Sequence, residues 1–189
     1  MNTHYTPREP TRVNPPLHGG TTHAKEELAD WLRDAHGMEM QAETMLKGQA
    51  ARLEHYPQLK ARIEQHITET QRQARDVEQC LKSIGEDTSA MKDTGGKAMA
   101  MMQSMGGMVM GDEVIKGTLV GYSFEHMEIA AYTVLIAAAE AAGESEVATV
   151  CERILGEEQA MAAWLSAHTP ELVRQYLERD ASPDREAKR

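Results

Sequence analysis

Acidic side chains and one histidine occur in four segments where apolar residues are expected. In each segment the apolar residues recur at the spacing of an amphipathic helix, and ionisable residues interrupt that pattern near its middle. The interrupting residues are Glu39 in the first segment, His66 and Glu69 in the second, Glu125 and Glu128 in the third, and Glu157 and Glu158 in the fourth. Carboxylates and imidazoles that face one another inside a helical bundle are the ligands of dinuclear metal sites.

Counting from the helix ends predicts that one glutamate from each helix lies at the same depth. Glu39 is 14 residues before the end of the first helix, and Glu69 is 12 residues after the start of the second. At about 1.5 Å per residue, the two side chains lie at nearly the same height. Glu128 and Glu158 match in the same way, and both pairs are 30 residues apart, as in an internally duplicated helix hairpin. We therefore expect one central layer of four glutamates.

Residues one helical turn away predict a second layer of ligands. If the second and third helices run parallel, His66 and Glu125 lie side by side, each three residues before the central glutamate of its helix. Glu43, one turn after the glutamate of the first helix, points toward this second layer and is a candidate outer ligand. Either Glu157 or Glu158 must face solvent, and Glu158 is our candidate for the inward residue.

The chemistry of this cluster favours two iron or manganese ions. Unpaired buried carboxylates cost several kcal/mol each and repel one another, so they persist only when cations or protons neutralise them. Carboxylates with a single imidazole suit iron or manganese better than zinc, which prefers sulfur and nitrogen. The alternative for each position is ordinary: a glutamate beside an apolar stripe is often solvated, and a buried histidine such as His66 is often only hydrogen-bonded.

The segments that position these residues predict an all-α fold. Ala, Met, Glu, Gln and Leu are abundant, and no alternating run rich in Val, Ile and Thr has the length of a strand. Two helix pairs separated by a long connection match a ferritin-like four-helix bundle of two antiparallel hairpins joined by a crossover. Breaks at Tyr56-Pro57, Gly85, Gly143 and Thr169-Pro170 mark the predicted helix ends, and the last break leaves a short C-terminal helix at 170–179.

Composition also predicts the segments around the bundle. Residues 1–23 are rich in Pro, Gly and Thr and predict a disordered arm, and residues 180–189 predict a disordered tail. The bundle is expected over residues 24–179, with the crossover at 85–112. Six methionines in the crossover favour adaptable apolar packing around a short helix at 97–105, with a soft-metal site or a protein-binding surface as alternatives.

Charge and cysteine content exclude several classes of function. A net charge of −10 and a pI near 5.3 argue against binding to nucleic acid or to anionic lipid. The N-terminus lacks the apolar core of a signal peptide, and the longest apolar stretch, 129–142, is too short to span a bilayer. Cys80 and Cys151 show no metal-binding spacing and are expected to be small buried thiols. These features favour a soluble, cytoplasmic protein.

Three sequence strings resemble a known family. The strings are HITETQRQ in the second helix, DEVIKGTLVGYSFEHMEIAAY in the third and GEEQAMAAWL in the fourth. Over residues 25–168 they resemble the YciE/YciF-like bacterial stress proteins of the ferritin-like superfamily. The resemblance implies a homodimer of four-helix bundles with a di-metal centre and a role in stress response. The chain departs from the ferritin pattern, in which histidines follow the glutamates of helices two and four, because Arg72 and Met161 stand there.

Two hypotheses from different classes follow. The first is a di-iron or di-manganese oxidoreductase that handles a small oxidant such as peroxide or oxygen, with Tyr122 or Tyr132 as a donor of electrons or protons or simply as a packing residue. The second is a non-catalytic stress or assembly protein, in which the acids are protonated, paired or vestigial. The sequence leaves open whether any substrate is turned over.

Overall fold

The computed structural model describes residues 20–87 and 114–181, and these residues form four long helices. The helices are α1 (Gly20–Ala50), α2 (Pro57–Ser83), α3 (Val114–Ala142) and α4 (Ser145–Asp180). The described ranges contain no strand, so the prediction of an all-α ferritin-like bundle is confirmed. Most of the predicted arm and tail, and the crossover with its short helix, lie outside the described residues. Within the ranges that are described, every helix is too polar or too short to cross a bilayer.

Tight turns join the helices into two hairpins. Pro57 begins α2 without losing a hydrogen bond, because the first backbone N–H groups of a helix have no partner within it. Leu53 and Tyr56 are buried in the same turn and attach it to the core. Between α3 and α4, Gly143 has a φ of 77°, a left-handed conformation that glycine adopts without strain, and the Glu144 N–H donates to the Ala139 carbonyl at 2.8 Å.

The hairpins pack side by side, with α1 against α3 and α2 against α4. The start of α3 lies beside the end of α1, since a Cβ added to Gly117 would be 3.3 Å from the Gln49 amide. Because α1 and α2 are antiparallel, α2 and α3 run in the same direction, as the ferritin-like plan requires. Ion pairs from Arg72 to Glu157 and from Arg153 to Asp76 connect α2 to α4.

The apolar interior is divided into two clusters. One contains residues in the half of the bundle that holds the α3–α4 turn, including Leu32, Leu81 and Leu135. The other contains residues near the α1–α2 turn, including Leu46 and Ile63. On α2 and α4 the ionisable residues predicted from the sequence lie between these clusters, while on α1 and α3 the first cluster extends past them to Ala42 and Phe124. The polar layer is therefore the middle of the bundle.

Two helix boundaries differ from the expectations. α1 begins at Gly20, so the last residues of the expected arm are helical. Residues 170–179 are helical as expected, but they continue α4 across Pro170 without a break. Thr169 Oγ1 donates to the Leu165 carbonyl at 2.6 Å in the turn before the proline, and Leu172 is buried in the core beyond it. Burial of Leu172 offsets the backbone hydrogen bond that Pro170 cannot make.

Candidate metal centre

A layer of buried ionisable side chains occupies the middle of the bundle. Every helix contributes to it, and each member is at most 1% exposed: Glu39, His66, Glu125, Glu128 and Glu158. Four of them, His66, Glu125, Glu128 and Glu158, offer ligand atoms that all lie within 4.8 Å of one another. The polar layer is thus compact enough to surround a cation.

The His66 ring is held between carboxylates on both of its nitrogens. Nδ1 lies 2.9 Å from Glu69 Oε2, while Nε2 lies 3.1 Å from Glu125 Oε2 and 3.3 Å from Glu158 Oε2. Burial disfavours the charged imidazolium, but close contacts with the carboxylates of Glu125, Glu158 and Glu69 outweigh that penalty and raise the pKa of His66 to about 12. In this protonation state His66 is the only cationic side chain among the ionisable residues of the buried layer.

Glu69 lies at the rim of the layer rather than in its centre. Its side chain is 18% exposed, and it accepts hydrogen bonds from Gln65 at 2.8 Å and Arg62 at 3.2 Å as well as contacting His66. Burial alone would raise its pKa, but His66, Gln65 and Arg62 lower it to about 2. The sequence predicted Glu69 level with Glu39. The structure instead directs it at His66 Nδ1, where a carboxylate fixes the orientation of the ring.

The acids of α3 have fewer protein partners. Burial and the charges of neighbouring glutamates raise the pKa of Glu128 well above its usual value. Burial also raises the pKa of Glu125 to about 7, although His66 opposes the shift. Both directions show that these carboxyl groups resist ionisation unless a positive charge is placed beside them.

Glu39 is paired with a tyrosine from the other hairpin. The Tyr132 hydroxyl donates a hydrogen bond to Glu39 Oε1 across the α1–α3 interface. Burial and the charge of Glu158 raise the pKa of Glu39, while the tyrosine lowers it, and the net shift is upward. Tyr132 therefore contacts the polar layer directly, whereas Tyr122 packs edge-on against His126 on a more exposed part of α3.

Unsatisfied oxygens show what the layer lacks. One carboxylate oxygen on each of four residues has no hydrogen-bond partner in the described part of the chain: Glu39, Glu125, Glu128 and Glu158. The oxygens of Glu125 and Glu158 are within ion-pair distance of His66 but lack the angles of a hydrogen bond. Buried polar atoms are rarely left without a partner. A cation bound among these oxygens and the histidine nitrogen would satisfy them, so the donor set could hold a metal ion.

The structure distinguishes Glu158 from its neighbour. Glu158 points into the layer, while Glu157 forms ion pairs with Arg72 and Arg153 on the α2–α4 surface. Gln73 joins the two, because its Nε2 donates to Glu157 Oε2 at 2.9 Å and to Glu158 Oε1 at 2.5 Å. Gln73 is fully buried and was not identified from the sequence. Its position one turn after Glu69 was the available signal, but glutamine is common on solvated helix faces.

Glu43 lies outside the layer, contrary to its expected role as an outer ligand. It accepts hydrogen bonds from Lys47 at 2.5 Å and Gln71 at 2.7 Å near the surface of the α1–α2 pair. The two positions at which ferritins have histidines also lie outside the buried ionisable layer. Arg72 is half-exposed, and Met161 is buried in the apolar cluster near the α1–α2 turn.

Comparisons with known proteins agree with this architecture. A family model described as a domain of unknown function, DUF892, matches residues 23–178. A solved protein structure from Xanthomonas campestris is 43% identical, with 84% of this chain and 99% of that chain covered and a TM-score of 0.70. The Escherichia coli stress protein YciF is 21% identical, with 80% and 98% covered and a TM-score of 0.70. The YciF similarity shows the same fold.

Proposed function

The chain belongs to the DUF892 family of YciF-like proteins, and from that membership we propose that it is a dinuclear metal protein of the stress response. The observation that carries the proposal is the set of four buried carboxylate oxygens without hydrogen-bond partners around one histidine. Four ionised glutamates in an apolar core would be strongly destabilising without a cation. Two divalent ions would neutralise them.

The proposed ligands are Glu39, His66, Glu125, Glu128 and Glu158, and Glu69, which the sequence also offered as a ligand, is proposed to orient the His66 ring. His66 would bind through Nε2, the nitrogen that faces Glu125 and Glu158, while Glu69 holds Nδ1 from the rim. Two bound redox-active ions would exchange electrons with a small oxidant such as peroxide or oxygen. The chain itself supplies a buried layer in the middle of the bundle, and Tyr132 holds Glu39 in place.

Metal binding should release protons. His66 has a pKa near 12 in the metal-free protein, so a metal must displace the proton on Nε2 before that nitrogen can bind. Glu128 and Glu39, whose pKa values are raised, also lose protons when a cation arrives. Affinity for Mn²⁺ should therefore rise with pH. Calorimetry in buffers of different ionisation enthalpy measures the protons released, and a release of none would contradict this ligand set.

Elemental analysis of the purified protein tests the proposal directly. We expect about two iron or manganese ions per chain, and Glu158→Gln should remove them. Glu157→Gln is the matched control, because its neighbouring carboxylate pairs with arginines on the surface. The amide in Glu158→Gln relieves charge repulsion in the core, so loss of metal would not be a result of unfolding. A stable wild-type protein without metal would overturn the proposal.

A chelator gives an independent measurement. Removal of a ligand that binds the folded state at 100 times its Kd costs about 2.7 kcal/mol of stability. The melting temperature of the metal-loaded protein should fall when the metal is removed at pH 7.5. The Glu158→Gln variant, which lacks the site, should melt at the same temperature with and without the chelator. An unchanged wild-type melting curve would contradict a metal-filled core.

A second candidate is a non-catalytic stress or assembly protein with a metal-free core. The favouring observation is that His66 already pairs with three carboxylates, so part of the charge is neutralised without a metal. The absence of histidine at Arg72 and Met161 points the same way, because it leaves a single imidazole for two ions. Peroxide or oxygen consumption by the iron-loaded protein separates the two candidates.

The homodimer and the cytoplasmic location remain part of the proposal. The outer face of α3 supports a second copy as partner, because Leu119 is 60% exposed and Val134 is 49% exposed, with Ser123, Ala130 and Ala137 between and beside them. Light scattering should show a dimer that Leu119→Lys with Val134→Lys converts to a monomer. Leu177→Lys, which alters an exposed leucine on α4, should leave the dimer intact.

A further inference from the structure

Two cysteines lie in the core on helices that are distant in sequence. Cys80 of α2 is 5% exposed and Cys151 of α4 is fully buried, and both are free thiols in the same apolar cluster. Neither belongs to the metal layer. Their placement depends on how α2 and α4 are aligned.

The α2–α4 contacts fix that alignment. The two helices are antiparallel, with Gln73 bonded to Glu158 and Asp76 paired with Arg153. Cys80 is seven residues after Gln73, and Cys151 is seven residues before Glu158. Seven residues are two helical turns and return to the same face, so the cysteines lie opposite each other about 10 Å from the Gln73–Glu158 contact. A second observation supports the proximity of the two thiols: after burial, Cys80 is the main cause that raises the pKa of Cys151.

We infer that Cys80 and Cys151 are a dithiol that closes to a disulfide between α2 and α4 when the protein meets a two-electron oxidant of the peroxide class. This inference does not depend on the metal centre. Under oxidative stress, the two buried cysteines would form an intrachain cross-link that holds α2 and α4 together.

The reaction balances with hydrogen peroxide as the oxidant. One cysteine, as its thiolate, attacks a peroxide oxygen, the O–O bond breaks, and a sulfenic acid and one water are formed. The second thiol attacks the sulfenic sulfur, the S–S bond forms, and the hydroxyl leaves as a second water. Two S–H bonds and one O–O bond are lost, and the two electrons of the thiols reduce the peroxide.

Burial sets the conditions under which the pair reacts. Burial raises the pKa of Cys80 to about 11 and that of Cys151 to about 12, while the nearby Arg153 guanidinium opposes both shifts. Little thiolate exists at neutral pH, so the dithiol should persist under ordinary conditions. A small uncharged oxidant is required to enter the core. The rate of closure should rise by about tenfold for each pH unit between 7 and 9, because the thiolate fraction does.

The test uses the full-length protein stripped of metal, treated with hydrogen peroxide or with diamide. We expect both thiols to disappear together, a chain mass lower by two hydrogens, and a protease fragment in which the Cys80 and Cys151 peptides are linked. Dithiothreitol should restore both thiols. Cys80→Ser and Cys151→Ser are matched controls, and neither should give an intrachain product.

Three results would overturn the inference. They are survival of both thiols in the folded protein after prolonged oxidation, a disulfide found only between chains, and conversion of the cysteines to sulfinic acids without a cross-link. Thermal melting adds a geometric readout. The oxidised protein should melt at a higher temperature than the reduced one, because the bond closes a long loop between two helices that already face each other. A lower melting temperature would show that the helices must distort to form the bond.

Discussion

The two hairpins carry glutamates at equivalent positions, but the exposure and hydrogen-bond partners of those glutamates differ. Glu69 of α2 lies at the rim, accepts hydrogen bonds from Gln65 and Arg62, and has a pKa of about 2. Glu158 of α4 is 1% exposed, and one of its oxygens lacks a hydrogen-bond partner among the described residues. Equal spacing in the sequence therefore places equivalent acids at similar depth, while neighbouring side chains decide how they are neutralised.

The central acids of α1 and α3 show the same difference. Glu39 receives the hydroxyl of Tyr132, which is four residues after Glu128 on the facing helix. The residue four after Glu39 is Glu43, which faces Lys47 and cannot return a hydroxyl to Glu128. Protein donors thus satisfy Glu69 and one oxygen of Glu39 in the first hairpin, whereas the acids of the second hairpin depend more on a cation or on protons. Three of the four side chains within ligand distance of one another come from the second hairpin.

Metal affinity should show the largest difference between the hairpins. Glu158→Gln should weaken Mn²⁺ binding by more than about 100-fold, because it removes a central ligand, and Glu69→Gln should weaken it by about tenfold through the orientation of His66. Calorimetric titration measures both. Equal losses in the two variants would show that Glu69 and Glu158 play the same role, and the contrast between the hairpins would be lost.

In the metal-free protein, the acids of the two hairpins should change the free energy of unfolding in different pH ranges. The pKa of Glu125 is raised from 4.5 to about 7, so its contribution to stability is complete below pH 4.5 and is lost as the pH rises to about 7. That loss is about 3 kcal/mol, and Glu39 and Glu128, whose pKa values are also raised, add to it. The pKa of Glu69 is lowered to about 2, so its contribution is lost as the pH falls from 4.5 to 2.

Urea unfolding at a series of pH values measures this profile. Maximum stability is expected near pH 4.5, where the losses from Glu125 and Glu69 both begin. Glu125→Gln should reduce the loss between pH 4.5 and 7, and Glu69→Gln should reduce the loss at acid pH. The stability that the raised pKa of His66 contributes is complete below pH 6.5 and is lost as the pH rises from there toward 12, so His66 adds to the loss only above pH 6.5. Stability that increases from pH 5 to 8 in the metal-free protein would contradict the burial of the second-hairpin acids.

Removal of the Tyr132 hydroxyl should make the first hairpin resemble the second. Tyr132→Phe leaves Glu39 buried without a donor, which should cost about 1–3 kcal/mol in the metal-free protein. Tyr122→Phe is the matched control, because that ring packs against His126 on a more exposed part of the same helix, and it should change stability by less than about 0.5 kcal/mol. Similar unfolding curves for the two variants would show that the hydrogen bond from Tyr132 to Glu39 does not stabilise the protein.

The smallest effect is expected at Glu43. Its contacts with Lys47 and Gln71 are near the surface, and the attraction of such pairs is weak, so Glu43→Gln should cost less than about 0.5 kcal/mol. Metal content should not change. Loss of metal in this variant would restore Glu43 as an outer ligand and would mean that the first hairpin contributes more than its geometry indicates.

The fold and the inward acids could be predicted because burial leaves a periodic record in the sequence. An acid on an apolar stripe faces the core whatever its neighbours are, so the burial of Glu39, Glu125 and Glu128 follows from their spacing. Helix ends at Tyr56-Pro57 and Gly143 follow from local backbone chemistry in the same way.

Contacts between helices could not be predicted, because they depend on side-chain directions across the bundle. The spacing rule gave Glu69 and Glu158 equal positions, but Arg62 and Gln65 draw Glu69 to the rim. Gln73 has no distinctive pattern of its own, and its role appears only when Glu158 lies beside it. The continuity of α4 across Pro170 depends on burial of Leu172, which a local rule for proline does not include.

The division of the apolar interior into two clusters has a consequence for how the bundle opens. The two clusters are separate, and ionisable residues divide them on α2 and α4, so the contacts at one end do not directly support those at the other. Without metal, amide hydrogen exchange should reveal two cooperative units that open with different free energies, one at each end. A metal bound in the middle would join them into a single unit, and the slowest exchange would then extend across the central turns of all four helices.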